Sequence, residues 1–67
     1  METYRIYGTE YKRDEATWDS KVVAHHTDLL IDLEPFTTTQ EDLDWVGYLV
    51  SKKFGFEAFE VLGFSLK

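Results

Sequence analysis

The stretch TTQEDLDWVGYLVSKKFG, residues 38–55, carries the signals of a single kind of element from end to end. Thr38 followed three residues later by Glu41 forms a capping-box pattern. Glu41, Asp42 and Asp44 sit where a helix dipole favours negative charge, and Lys52 and Lys53 where it favours positive charge. Gly55 falls where a left-handed cap ends a helix. At about 100° per residue, Leu43, Val46, Gly47, Val50 and Phe54 share one face, and Leu49 widens it. This pattern predicts a helix over about 39–54. Glu41, Trp45, Tyr48 and Lys52 then lie on the opposite side. Two large aromatics there have two explanations. Trp45 folds over the helix flank onto a loop or sheet edge, or it anchors a partner, as Trp and Tyr often do.

The rest of the chain reads mainly as strand. TYRIYGTEYK, residues 3–12, is rich in Tyr, Thr and Ile and is followed by the turn-like RDEAT. Alternation puts Tyr4, Ile6 and Gly8 on one face and Arg5, Tyr7, Thr9 and Tyr11 on the other. FEAFEVLGFSLK, from Phe56, also reads as a strand, with Phe56, Ala58, Leu62, Phe64 and Leu66 of one parity and Phe59 and Val61 of the other. Gly63 marks a bulge or a close backbone approach.

Residues 20–33, SKVVAHHTDLLIDL, fit two descriptions. As a helix they carry Lys21, His25, Asp28 and Asp32 in one stripe, ended by Pro35. As a strand, single or bent into two, they set Leu29, Ile31 and Leu33 against Asp28, Leu30, Asp32 and Glu34. Val22, Val23, Thr27 and Ile31 favour the strand. The expected fold is therefore α+β: a small antiparallel sheet of three to four strands with one helix packed on one face. Sixty-seven residues leave room for one domain, 1–67, and no second core. Hydrophobic content of 43% and aromatic content of 16% argue against a disordered chain. With no cysteine there is neither a disulfide nor a thiolate zinc site to help so small a core.

Charge and motif narrow the function. The net charge is −6. Residues 28–44 hold Asp28, Asp32, Glu34, Glu41, Asp42 and Asp44 with no Lys or Arg. That argues against direct binding to a phosphate backbone. It permits a basic protein partner, or mimicry of nucleic acid on a protein that handles it, as a mobile-element inhibitor would act. Acidic residues also simply keep small proteins soluble. No apolar run approaches the roughly 18 residues of a spanning helix, and the N-terminus lacks an apolar signal core. We expect a cytoplasmic protein with no membrane association.

His25 and His26 are the remaining chemical candidates. Neighbours on a strand point to opposite faces, so both rings cannot easily reach one ion. A His-dependent metal site is a remote alternative, and neither metal nor cofactor is expected. No serine or threonine sits in a nucleophile motif, and the glycines at 8, 47, 55 and 63 form no phosphate loop. We expect no enzyme. One helix covers one side of a sheet, so the parity that excludes Phe64 should leave Phe59, Val61, Tyr7 and Tyr11 on an open face, unless residues 13–20 with Trp18 fold across it. Exposed apolar patches of that kind mark interfaces. The expected function is non-enzymatic protein interaction, with a partner or a second copy. Its expected contacts are Tyr7, Tyr11, Phe59 and Val61 on the sheet, and Glu41, Asp44, Trp45 and Tyr48 on the helix.

Overall fold

Strand preference wins over residues 20–33, and the chain makes three strands and one helix. A computed structural model describes all residues, Met1–Lys67. The order is β1 (Glu2–Arg13), β2 (Ser20–Leu33), α1 (Gln40–Phe54) and β3 (Ala58–Leu66). β1 lies in the centre and pairs antiparallel with both neighbours, giving the sheet order β2-β1-β3. The third strand begins at Ala58, two residues after the expected Phe56, because Phe56 still belongs to the turn closing the helix.

The helix packs on one face, against β3. Val46, Gly47 and Val50 are its buried residues. They close a core with Tyr4 and Ile6 of β1, Ile31 and Leu33 of β2, and Phe59 of β3. Tyr4, Phe36 and Phe64 interlock at one end, with ring centroids 4.9, 6.0 and 4.6 Å apart. At the other end Phe54, Phe56 and Phe59 stack in succession at 5.8 Å. Offset and tilted ring pairs of this kind add to what burial alone supplies.

The position of the helix is set by Gly47. A Cβ at that position would lie 2.6 Å from the Phe59 carbonyl oxygen and 3.8 Å from a Val61 methyl. The bare backbone therefore lets the helix rest directly on β3.

The two sheet faces are not divided as strict alternation predicts. Tyr7 pairs with Gly63 but Gly8 pairs with Val61, so Leu62 is an extra residue on β3. Such a bulge shifts the alternation by one. Phe59, Val61 and Phe64 consequently all face the helix. The expectation that Phe59 and Val61 lie on the open face is overturned: Phe59 is buried in the core and Val61 packs half-buried against it. Leu62, expected beneath the helix, is exposed. β2 has two similar irregularities opposite β1, between Ile6 and Gly8 and between Glu10 and Tyr11. Its Leu29, Ile31 and Leu33 still face the helix as expected.

The helix cap also sits one residue later than the capping-box reading places it. Thr39, not Thr38, is the N-cap, and its hydroxyl accepts from the Asp42 N–H at 3.3 Å. Asp42 completes the motif by reaching back to Thr37, accepting from its N–H at 2.9 Å and its hydroxyl at 2.8 Å. At the other end Gly55 takes φ 77° and donates to the Ser51 carbonyl.

Two outcomes test this arrangement. Gly47→Val should lower stability by about 2–3 kcal/mol in urea denaturation, because the added methyls must displace β3 backbone. Unchanged stability would mean the helix is free to slide. Asp42 gives a pH signature. The Thr37 N–H first, and its hydroxyl second, hold the Asp42 carboxyl below its ordinary value. A carboxyl depressed in the folded state contributes stability above its unfolded pKa of about 3.9 and loses it as pH falls through the folded value. Asp42→Asn should therefore be less stable than wild type near neutral pH, with the gap closing below about pH 4.

Candidate functional site

Adjacent histidines on β2 point to opposite faces, as strand geometry requires. His25 Nδ1 lies 3.1 Å from the hydroxyl of Thr9, which is buried on the open side of the sheet. His26 Nε2 lies 2.9 Å from Glu10 Oε1 on the helix side. Its ring stacks on Phe56 at 4.9 Å and leans on Phe59 at 6.2 Å. Both His26 and Glu10 are well sheltered, with side chains 25% and 19% exposed. The pair closes the end of the core that the helix does not reach. No three His, Asp or Glu side chains come together in a geometry that could hold an ion.

The open face of the sheet is largely polar. Arg5 and Asp28 form an ion pair at 2.7 Å, and the Thr3 hydroxyl donates to Asp32. Tyr7, 42% exposed, lays its ring over Gly63, where any Cβ would collide with it. Tyr11 is half-buried near the hairpin. With Phe59 and Val61 turned inward, these two tyrosines are what remains of the expected aromatic sheet surface. Trp18 does not cover them. It is 73% exposed in the β1–β2 turn, with φ 63°, below the Arg13 guanidinium at 5.6 Å.

The acidic residues are mostly engaged within the chain. Asp28 and Asp32 bind Arg5 and Thr3, Asp42 binds Thr37, and Asp44 accepts from the Gln40 amide at 2.7 Å. Glu34 and Glu41 stand exposed. Tyr48, also exposed, lies beneath the Lys52 ammonium at 5.5 Å.

The most apolar concavity lies elsewhere. Because Gly47 seats the helix on β3, a groove opens between the opposite flank of α1 and the end of β2. It measures about 560 Å³. Its apolar lining is Met1, Ile31, Leu33, Trp45 and Leu49, with Asp32 and Glu34 along the strand rim and Lys52 and Lys53 along the helix rim. Trp45 is 45% exposed, folded over the helix flank toward the sheet edge. β2 has a single hydrogen-bonded neighbour, so its outer edge beside the groove carries unpaired backbone groups. One edge carbonyl, that of Leu30, accepts from the Lys53 ammonium at 3.2 Å.

Of the residues read from the sequence as contacts, Trp45 alone joins this groove. Tyr48, Glu41 and Asp44 lie elsewhere on the exposed helix surface, and Tyr7 and Tyr11 on the sheet. Leu49 and Lys52 follow Trp45 at helical spacing and could have been grouped with it. Ile31, Leu33 and Met1 could not, since only the placement of the helix selects the strand that faces them. No protein-family model, curated protein or solved structure matches this chain.

The His26–Glu10 pair generates a prediction. Glu10→Ala should cost about 1–2 kcal/mol in urea denaturation, since it leaves a sheltered imidazole without its acceptor. A loss no larger than that of the exposed Glu57→Ala would show the pair to be structurally idle.

Proposed function

We propose that this protein is a non-catalytic interaction module that seats an extended segment of a protein partner in the groove between α1 and β2. The observation that carries this reading is the coincidence of an apolar groove with an unpaired strand edge. The groove offers Trp45, Leu49, Ile31, Leu33 and Met1 to alternate side chains of a visiting strand. The β2 edge offers backbone donors and acceptors to its main chain. Strand addition uses this combination, the backbone supplying affinity and the side-chain pockets supplying specificity. A half-exposed Trp at the centre of such a surface is a favoured hot spot.

The rims add a preference. Glu34 on the strand side favours a visitor with a basic residue near the end of β2. The mixed rim and open shape suit a peptide better than a small polar metabolite, because no set of polar groups converges on the floor. No helix is long and apolar enough to cross a membrane. The absence of cysteine suits a cytoplasmic setting.

The test is affinity capture with the tagged chain, followed by the same capture with Trp45→Ala. The variant should keep its circular-dichroism spectrum, since Trp45 is outside the core, and lose at least about tenfold in partner retention. Equal retention by the variant would remove the groove from the interaction.

A further inference from the structure

The two halves of β2 are unlike, and the difference is complementary. β2 has 14 residues and runs most of the molecule's 40 Å long axis. The 15-residue helix is only about 22 Å long. The helix therefore accompanies the C-terminal half of the strand, where the groove lies, and leaves the N-terminal half bare. On that bare half Val22 and Val23 are each 48% exposed. Lys21 stands directly across from Lys12, with no ion pair to either. Like charges in facing positions oppose each other, so an anion beside Lys21 would relieve the strand. The C-terminal half ends at the converse: an exposed, unpaired Glu34 on the strand rim of an apolar floor, across from Lys52 and Lys53 on the helix rim.

We infer that the occupant of the groove is a second copy of this chain, its β2 edge pairing antiparallel with that of the first about a twofold axis near Thr27. This inference rests on the groove reading above and names its partner. A twofold antiparallel arrangement places the start of each β2 beside the end of the other. Lys21 belongs to the helix side, since it faces Lys12 two positions beyond Glu10. Its aliphatic stem lies along the partner copy's Trp45 and Leu33, and its ammonium meets that copy's Glu34. Val22, opposite Tyr11 on the other face, comes beside Leu30, which is half-buried on that same face. Each copy contributes both halves, so the contact is isologous and closes at two.

Three features work against pairing and set its strength. The Lys53 ammonium must leave the Leu30 carbonyl to a backbone N–H of the other copy. The bulges of β2 interrupt the ladder near Thr27 and Val23, which confines regular pairing to the stretches on either side. A net charge of −6 per copy also opposes association at low salt. The dimer is accordingly concentration-dependent.

Sedimentation velocity of the untagged chain across roughly micromolar to millimolar concentration, at moderate salt, tests this. The mass should rise from 7.9 kDa toward twice that value. Val23→Lys should weaken association by about tenfold or more, and because Val23 is exposed the variant folds. Lys21→Glu and Glu34→Lys should each weaken it about tenfold, while the double reversal restores it, as coupled charges in a mutant cycle do. A wild-type chain that stays monomeric throughout overturns the inference. So does a dimer that ignores Val23→Lys and is not restored by the double reversal, since another surface then makes it. If the chain is monomeric yet retains a partner through Trp45, self-pairing falls and the groove reading stands. If Trp45→Ala alters neither, both fall.

Discussion

Gly47 resting on the carbonyl of Phe59 is the contact from which the rest of the architecture follows. A helix with a side chain at that point would ride higher and more centrally over the sheet. Without one, it settles on β3 and buries Val46 and Val50 completely. The same displacement withdraws it from β2. The core is thus closed tightly along one edge and left ajar along the other, and the groove beside Trp45 is the direct consequence. Close packing on one side and an unfilled apolar surface on the other are one geometric fact.

The small size of the chain sharpens this. A domain of this length buries too little surface for its core to dominate its stability, and ten of its 67 residues are buried. Rings take up much of the remaining work. Tyr4, Phe36 and Phe64 seal one end of the core, and Phe54, Phe56, Phe59 and His26 seal the other. The sheltered His26–Glu10 pair ends that second stack where helix cover runs out. What looks in the sequence like a reactive pair of histidines is, in the fold, one ring finishing the core and its neighbour bonded to a threonine. Asp28, Asp32, Asp42 and Asp44 are similarly occupied, the first two across strands and the last two at the start of the helix. The surface left beside Trp45 is an apolar groove, and contact with another polypeptide is the use we propose for it.

Much of this was legible in the residues. The helix could be read within a residue of its limits, because a 3.6-residue period, a dipole-matched charge distribution and a terminal glycine all agree there. The strand character of Val22, Val23, Thr27 and Ile31 was legible too, as was the separation of His25 from His26. The assignment of Phe59 and Val61 to the open face failed for a definite reason. Alternation assumes an unbroken two-residue repeat, and Leu62 breaks it. A single inserted residue is invisible to a parity count, although Gly63 beside it was the one hint that the strand was irregular. The cap was misplaced by one residue because Thr37, Thr38 and Thr39 are chemically alike, and only the reach of Asp42 back to Thr37 distinguishes them.

By itself, then, the sequence determined the helix, the strand character of the segments at either end of the chain and their order, and it favoured a strand over residues 20–33 without excluding a helix. Those properties depend on local periodicity and composition, which act over a few residues. The tertiary structure alone decided which face each strand shows beyond its bulge, which strand the helix sits on, and hence that a half-exposed Trp45 lines one groove with Leu33. Those outcomes depend on contacts between residues far apart in the chain, such as Gly47 with Phe59 and Gly63 with Tyr7. Steric fit at such points is a property of the assembled backbone, and no local pattern encodes it.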